Sequence, residues 1–302
     1  MIKPHLDPLL DGFVQQQLDL GEIEILVSQA GQGEPLLLLH GWPQSHVIWH
    51  RMATQLAQHF TVIATDLRGY GDSSKPVGLP DHSNYSKRVM AQDQIDVMQR
   101  LGFEHFYVLG HDRGARVAHR MAVDHPDRVR KLVTLDIVPT LAMYEQTSEA
   151  FARAYYHWFF LIRPTPYPET LIGAEPQVFL DHSLALSGDI HALFHPDAYA
   201  EYLRHIRNPA TIHGFCEDYR AATSIDLEHD RADRKMGRKV QCDLLALWGN
   251  QGYMAKAFDP LAEWQAVCDG HLTGKGLPCG HYMPEEIPQQ LLAEIIPFLT
   301  TH

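Results

Sequence analysis

Val108-Leu109-Gly110-His111-Asp112-Arg113-Gly114 is the stretch whose reading decides the fold. A short apolar run from Phe106 ends in a glycine-flanked acid, and residues from Val117 to Met121 then open a helical pattern that stops near Pro126. G-x-D-x-G between a strand and a helix is the pattern of a nucleophile elbow with aspartate in place of serine. The elbow residue takes a strained conformation on a tight turn, and small neighbours let strand and helix approach. A carboxylate there points over the sheet edge at a helix N-terminus, which favours its charged form. An aspartate that merely caps a helix shares the pattern, so the rest of the chain has to carry weight too.

Outward from the elbow, short apolar runs alternate with amphipathic stretches. Phe13–Leu20 and Ile23–Val27 alternate and meet at Gly21-Glu22, which predicts an antiparallel pair. Pro35–Leu39, Thr61–Ala64, Phe106–Leu109 and Lys131–Leu135 read as buried parallel strands. Ile48–Leu56 and Val89–Leu101 carry helical spacing, the latter closing at Gly102. After Pro139 the chain turns aromatic and proline-rich, with no strand pattern, and reads as a helical insertion. Cys242–Trp248 resumes the strand pattern, Phe258–Val267 reads as a helix, and Ile287–Phe298 is a terminal amphipathic helix. This order predicts a doubly wound α/β sheet in residues 1–139 and 226–302, with a helical cap in 140–225.

Composition narrows the function. Lys plus Arg is 25 and Asp plus Glu is 37 in 302 residues, a formal charge of −12. That field repels nucleic acid and anionic membrane, and it requires any site for a small anion to be locally basic. No apolar run approaches the ~18 residues of a membrane span, and the first residues lack the apolar core of a secretory signal, so a soluble cytoplasmic protein is expected. Cys216, Cys242, Cys268 and Cys279 form no C-x-x-C pair and read as reduced thiols rather than a zinc site.

Two further motifs complete a constellation. His40-Gly41-Trp42-Pro43 follows a strand, where backbone N–H groups of Trp42 and of Arg113, next to the nucleophile, would form an oxyanion hole. Gly280-His281-Tyr282 precedes the last helix, the place of the base in the chain order nucleophile, acid, base. With 20 histidines in the chain, position rather than identity selects His281. No metal or cofactor site is expected: Glu228-His229-Asp230 lacks a partner cluster.

Over nearly its whole length the chain resembles the α/β-hydrolase superfamily, and within it the fluoroacetate (haloacetate) dehalogenases. Five blocks carry the resemblance: Gly110 to Arg116, Leu135-Asp136-Ile137-Val138-Pro139-Thr140, Tyr156-His157-Trp158, Cys216-Glu217-Asp218-Tyr219-Arg220-Ala221, and Gly280 to Glu286. The resemblance implies an eight-stranded, mostly parallel sheet with a helical cap, and a homodimer. It implies Asp136 as the acid that orients His281. The strand after the cap ends in Trp248-Gly249-Asn250-Gln251-Gly252, with no acid there to compete. It also implies His157, Trp158 and Tyr219 as donors to a leaving halide.

An aspartate nucleophile changes the chemistry. Attack on an ester would give an anhydride, whereas attack on a saturated carbon displaces a leaving group and gives an alkyl ester. Water activated by His281 then hydrolyses that ester. Arg113 and Arg116 lie one helical turn apart beside Asp112 and are expected to clamp a substrate carboxylate, supplying the local basicity. The competing reading is a structural ion pair with Asp127 or another carboxylate. The expected substrate is a short haloacid converted to a hydroxy acid and halide, with Met143, Leu184 and Leu186 as candidate pocket residues. The alternatives are an epoxide hydrolase, which needs two cap tyrosines, and a non-catalytic small-acid binding protein, which an intact Asp112, Asp136 and His281 argues against.

Overall fold

In the computed structural model, which describes residues 4–185 and 188–301, the apolar runs form one mixed sheet. The strands are β1 (His5–Leu6), β2 (Val14–Asp19), β3 (Glu24–Ala30), β4 (Pro35–Leu39), β5 (Thr61–Thr65), β6 (Phe106–His111), β7 (Val129–Leu135), β8 (Asp243–Gly249) and β9 (Leu272–Leu277). Their order is β1-β2-β3-β5-β4-β6-β7-β8-β9. Pairing is antiparallel from β1 to β3 and between β3 and β5, and parallel from β5 onward.

Among the described residues the sheet has nine strands where eight are expected. The extra one, β1, is two residues long, too short to leave a periodic signal. The predicted helix over Ile48–Leu56 is also corrected. It is a 3-10 turn, His46–Arg51, followed by a single α-turn, Ala53–Leu56, with a backbone break at Met52 (φ −122°, ψ −33°).

Side chains of the central strands divide by parity, as a pleated strand requires. Leu37, Leu39, Ile63, Val108 and Leu132 pack with the helices Lys87–Arg100 and Arg113–Asp124 and with cap residues such as Phe151 and Trp158. Leu36, Leu38, Val62, Ala64 and Leu109 pack on the other face with Leu291, Ile295 and Leu299 of the terminal helix Pro288–Thr300. Burial on both faces explains why these strands read as continuous apolar runs. Each fully buried leucine contributes about 2 kcal/mol.

From Thr140 to Met236 the described chain is helical and contributes no strand; the last of these helices is Ile225–Met236. Among the described residues no helix is long and apolar enough to cross a membrane. All four cysteines are free thiols.

Candidate active site

Asp112 stands between β6 and the helix Arg113–Asp124 with φ 45° and ψ −117°, a conformation few side chains tolerate. Such strain costs on the order of 1–3 kcal/mol and persists because the surroundings over-determine it. Gly114 is part of that surround: a Cβ there would lie 2.3 Å from the carbonyl oxygens of Leu39 and His40. The backbone N–H of Asp112 donates to the Leu135 carbonyl at 3.2 Å. The Trp42 N–H donates to Asp112 Oδ2 at 3.0 Å, so one oxyanion-hole donor is aimed at this carboxylate before any substrate arrives. The turn carrying Trp42 is held by neutral His40, which accepts the Leu67 N–H at Nε2 (3.0 Å) and faces the Gly41 carbonyl with Nδ1 (2.9 Å). Burial pushes His40 down to about 4. Burial also opposes ionisation of Asp112, but His281, His111, Arg113 and Arg116 together hold its carboxyl below the ordinary range.

His281 Nδ1 lies 2.6 Å from Asp136 Oδ2. Asp136 follows β7 with φ 53°. Its N–H donates to Leu247 O at 2.8 Å, and its Oδ1 accepts the Gly249 N–H at 2.9 Å. The end of β8, which lacks an acid of its own, thus orients the acid of β7. Burial lowers the His281 pKa, but the bond to Asp136 and the charges of Asp136 and Asp112 outweigh it and raise the imidazole above its usual value.

Two positioning contacts had no role assigned from the motifs. Glu286 accepts the N–H groups of Gly280 (2.6 Å) and Tyr282 (2.9 Å) and so brackets His281. His111 Nε2 meets the His281 carbonyl at 2.8 Å and must be the donor there. The spacing from Gly280 to Glu286 on a turn was the available signal for the first. Nothing local announced the second, because its partner is 170 residues away.

Asp112, Asp136 and His281 line one narrow cavity with about 10 Å³ of free space, roughly what a single ordered water needs. Its walls are Trp42, Asp112, Arg116, Asp136, Met143, Tyr155, His157, Trp158, Met254, His281 and Tyr282. Arg116 is buried there: Nη1 donates to Val138 O (3.1 Å) and Thr140 Oγ1 (3.0 Å), its guanidinium lies 4.9 Å from the Trp158 ring, and Nε has no partner. Burial, then the charge of Arg113, lowers its pKa. His157 stacks on Trp42 at 4.6 Å and is driven down to about 3 by burial, hence neutral.

Two expected residues sit differently. Arg113 is outside the cavity lining, because Asp218 takes its guanidinium: Nε to Oδ2 at 2.9 Å, Nη2 to Oδ1 at 2.6 Å, and Nη2 to the backbone oxygen at 3.0 Å. The ion-pair alternative applies to most of this side chain, with Asp218 and not Asp127 as partner; Nη1 alone stays buried without a bond. Tyr219 lies behind the wall, in edge contact with His157 and Trp158 at 5.9 Å and under the Arg113 guanidinium at 4.2 Å. Met143 lines the cavity, Leu184 is buried outside its lining, and Leu186 lies outside the described residues. Tyr155, a cavity wall from the cap, was not singled out from sequence.

One group of metal-ligating type occurs among the described residues, Asp72, Glu201 and His205. None of them lines this cavity. Arg204 Nη2 already sits between them, 2.6 Å from each carboxylate and 2.7 Å from the imidazole.

Comparison with known proteins agrees with this architecture. Residues 34–288 match the alpha/beta hydrolase fold family. The chain is 46% identical to a fluoroacetate dehalogenase of Burkholderia sp, over 97% of this chain and 95% of that one. It is 34% identical to a soluble epoxide hydrolase of Corynebacterium sp. (strain C12), over 89% of this chain and 91% of that one. A crystal structure of a candidate alpha/beta hydrolase from Nostoc sp PCC 7120 superposes with a TM-score of 0.94 at 56% identity, covering 96% of this chain and 99% of that one.

Proposed function

The chain is an enzyme belonging to the alpha/beta hydrolase fold family, and we propose that it removes halide from a short 2-haloacid such as fluoroacetate or chloroacetate, giving glycolate. The carrying observation is the composition of one small space. A depressed carboxylate, Asp112, and a buried guanidinium with an unbonded Nε–H, Arg116, line a cavity of about 10 Å³. A buried donor without a partner is costly, and a substrate carboxylate would satisfy it with a charge-assisted bond.

The proposed reaction has two displacements. Trp42 N–H is bonded to Oδ2 of Asp112, so Oδ1 is the attacking atom. It forms a bond to C2 while the carbon–halogen bond breaks and the halide leaves with the electron pair. His157 and Trp158 face the departing ion with N–H groups, and Tyr219 supports both from behind. Water then loses a proton to His281 and attacks Cγ of the Asp112 ester. The negative charge collects on Oδ2, where the Trp42 and Arg113 N–H groups act as the oxyanion hole. Collapse expels the alkoxide of glycolate, which takes the proton from His281; Asp112 emerges as the carboxylic acid and releases its remaining proton to solvent, which restores the carboxylate. Asp136 stabilises the imidazolium in between. Arg116 is the carboxylate anchor, and Arg113, whose guanidinium lies outside the cavity lining, contributes charge rather than a contact.

A second reading, small-epoxide hydrolysis, draws on the epoxide hydrolase similarity and on Tyr155 as a cap tyrosine in the wall. Halide release from fluoroacetate and chloroacetate, measured for the protein and for Asp112→Asn, tests the proposal. Release that needs Asp112 supports it. A folded protein that releases none, yet opens a small neutral epoxide, supports the second reading instead. The proposal further takes the enzyme to be a cytoplasmic homodimer; sedimentation tests the dimer.

A further inference from the structure

Arg113 poses a charge problem for the carboxylate site of the proposed function, on which this inference rests. A guanidinium bonded twice to one carboxylate is close to a neutral pair, and a neutral pair offers little to an incoming anion. Arg113 and Asp218 are such a pair, both fully buried. Asp218, however, serves more than one cation. Its Oδ1 also accepts from Lys87 Nζ, and its Oδ2 accepts from Tyr70 OH at 2.5 Å.

Lys87 is the first residue of the helix Lys87–Arg100, 4% exposed, and absent from the cavity wall. Its backbone N–H donates to Asp226 Oδ1 at 2.8 Å, and its ammonium lies 3.6 Å from Asp226 Oδ2. The charges therefore alternate inward from the pocket: Arg113, Asp218, Lys87, Asp226. Burial pushes the Asp226 carboxyl up to about 6, and burial together with the Arg113 charge lowers Lys87, which the bonds to Asp218 and the charge of Asp226 counter.

We propose that Lys87 is a positioning residue for the anion site: by sharing Asp218 it draws that carboxylate's charge away from Arg113, which leaves more positive potential beside Arg116 for the substrate carboxylate. Lys87 touches neither substrate nor Asp112. It acts through Asp218, which lies on the helix Pro209–Thr223, between the helix Lys87–Arg100 and the helix Ile225–Met236.

The test compares acetate with acetamide, which match in size and differ in charge, in calorimetric or NMR titrations of the whole chain. The unaltered protein is expected to prefer acetate. Lys87→Met is expected to weaken acetate about tenfold and leave acetamide unchanged. Adding Asp218→Asn to Lys87→Met removes the charge that Lys87 offsets and is expected to recover most of the acetate affinity. For fluoroacetate, KM rises with Lys87→Met by the same factor while kcat changes less. Lys87→Gln, which keeps a polar end for both carboxylates, replaces Lys87→Met should that variant not fold. Acetate affinity unchanged in Lys87→Met, an equal loss of acetate and acetamide, or no recovery in the double variant each overturns the role of Lys87. An unaltered protein without preference for acetate overturns the carboxylate site itself, and this inference with it.

Discussion

Replacing His281 by glutamine separates the two halves of the proposed reaction. The glutamine amide keeps a donor for Asp136, whose side chain is almost fully buried and whose Oδ2 now receives the 2.6 Å contact from His281, so the turn is not left with an unpaired buried carboxylate. The first displacement needs only ionised Asp112. Losing the His281 charge removes the largest of the effects that depress it, while the charges of Arg113 and Arg116 still favour its ionised form. The second step loses its base, worth about 10²–10⁴ in rate. Turnover should therefore stop after one event. Mixing His281→Gln with excess chloroacetate should release about one halide per chain in a burst, followed by a steady rate about 10³ below that of the unaltered enzyme. Intact-mass measurement should show a gain of about 58 Da, the carboxymethyl ester, in a peptide containing Asp112. A folded variant that turns over within tenfold of the parent, or one that releases halide with no mass gain on Asp112, would refute the covalent mechanism.

Other outcomes follow from the same geometry. The His281 pKa is raised above 6.5, and a base must be neutral to hydrolyse the ester, so kcat, where that second step limits turnover, should climb with pH through an inflection above 6.5; an inflection below it counts against the Asp136 pairing. Arg116→Gln should raise KM for haloacetate about 10–100-fold with a smaller effect on kcat, since a charge-assisted contact to a carboxylate contributes roughly 1.5–3 kcal/mol, and steady-state kinetics reads this directly. Gly114→Ala should destabilise the protein by about 1–3 kcal/mol in urea unfolding, because its methyl would meet the backbone of Leu39 and His40. His46, bonded to Asp66 at 2.8 Å and Asp7 at 3.2 Å, is raised to about 10. Its contribution to stability is complete below about 6.5 and fades as pH rises through about 10, so the urea midpoint should fall between pH 7 and 10 less in His46→Asn than in the parent.

The elbow was legible because it is local: two glycines, an acid and the strand–helix change all lie within seven residues. The parallel strands were legible because burial on both faces leaves an unbroken apolar run, as in Leu36–Leu39. Asp136 came from a resemblance aided by an empty alternative position, and its 2.6 Å contact with His281 spans 145 residues. Distance in sequence is also what hid the fate of Arg113. Its side chain is claimed by Asp218, 105 residues on, and no spacing rule connects a helix N-terminus to a cap helix so remote. A two-residue β1 and a 3-10 segment at His46–Arg51 escaped because neither is long enough to display a period.

The narrowness of the cavity has a kinetic meaning. So little free space makes the packing of Tyr155, Met143 and Met254 a barrier that a haloacid meets on entry and its products meet on exit. Admission, rather than affinity, then sorts molecules at the threshold, and the gate can become the slowest event in the cycle. In that regime chloroacetate and bromoacetate would turn over at the same maximal rate despite their unequal bonds, and added viscosity would slow both alike.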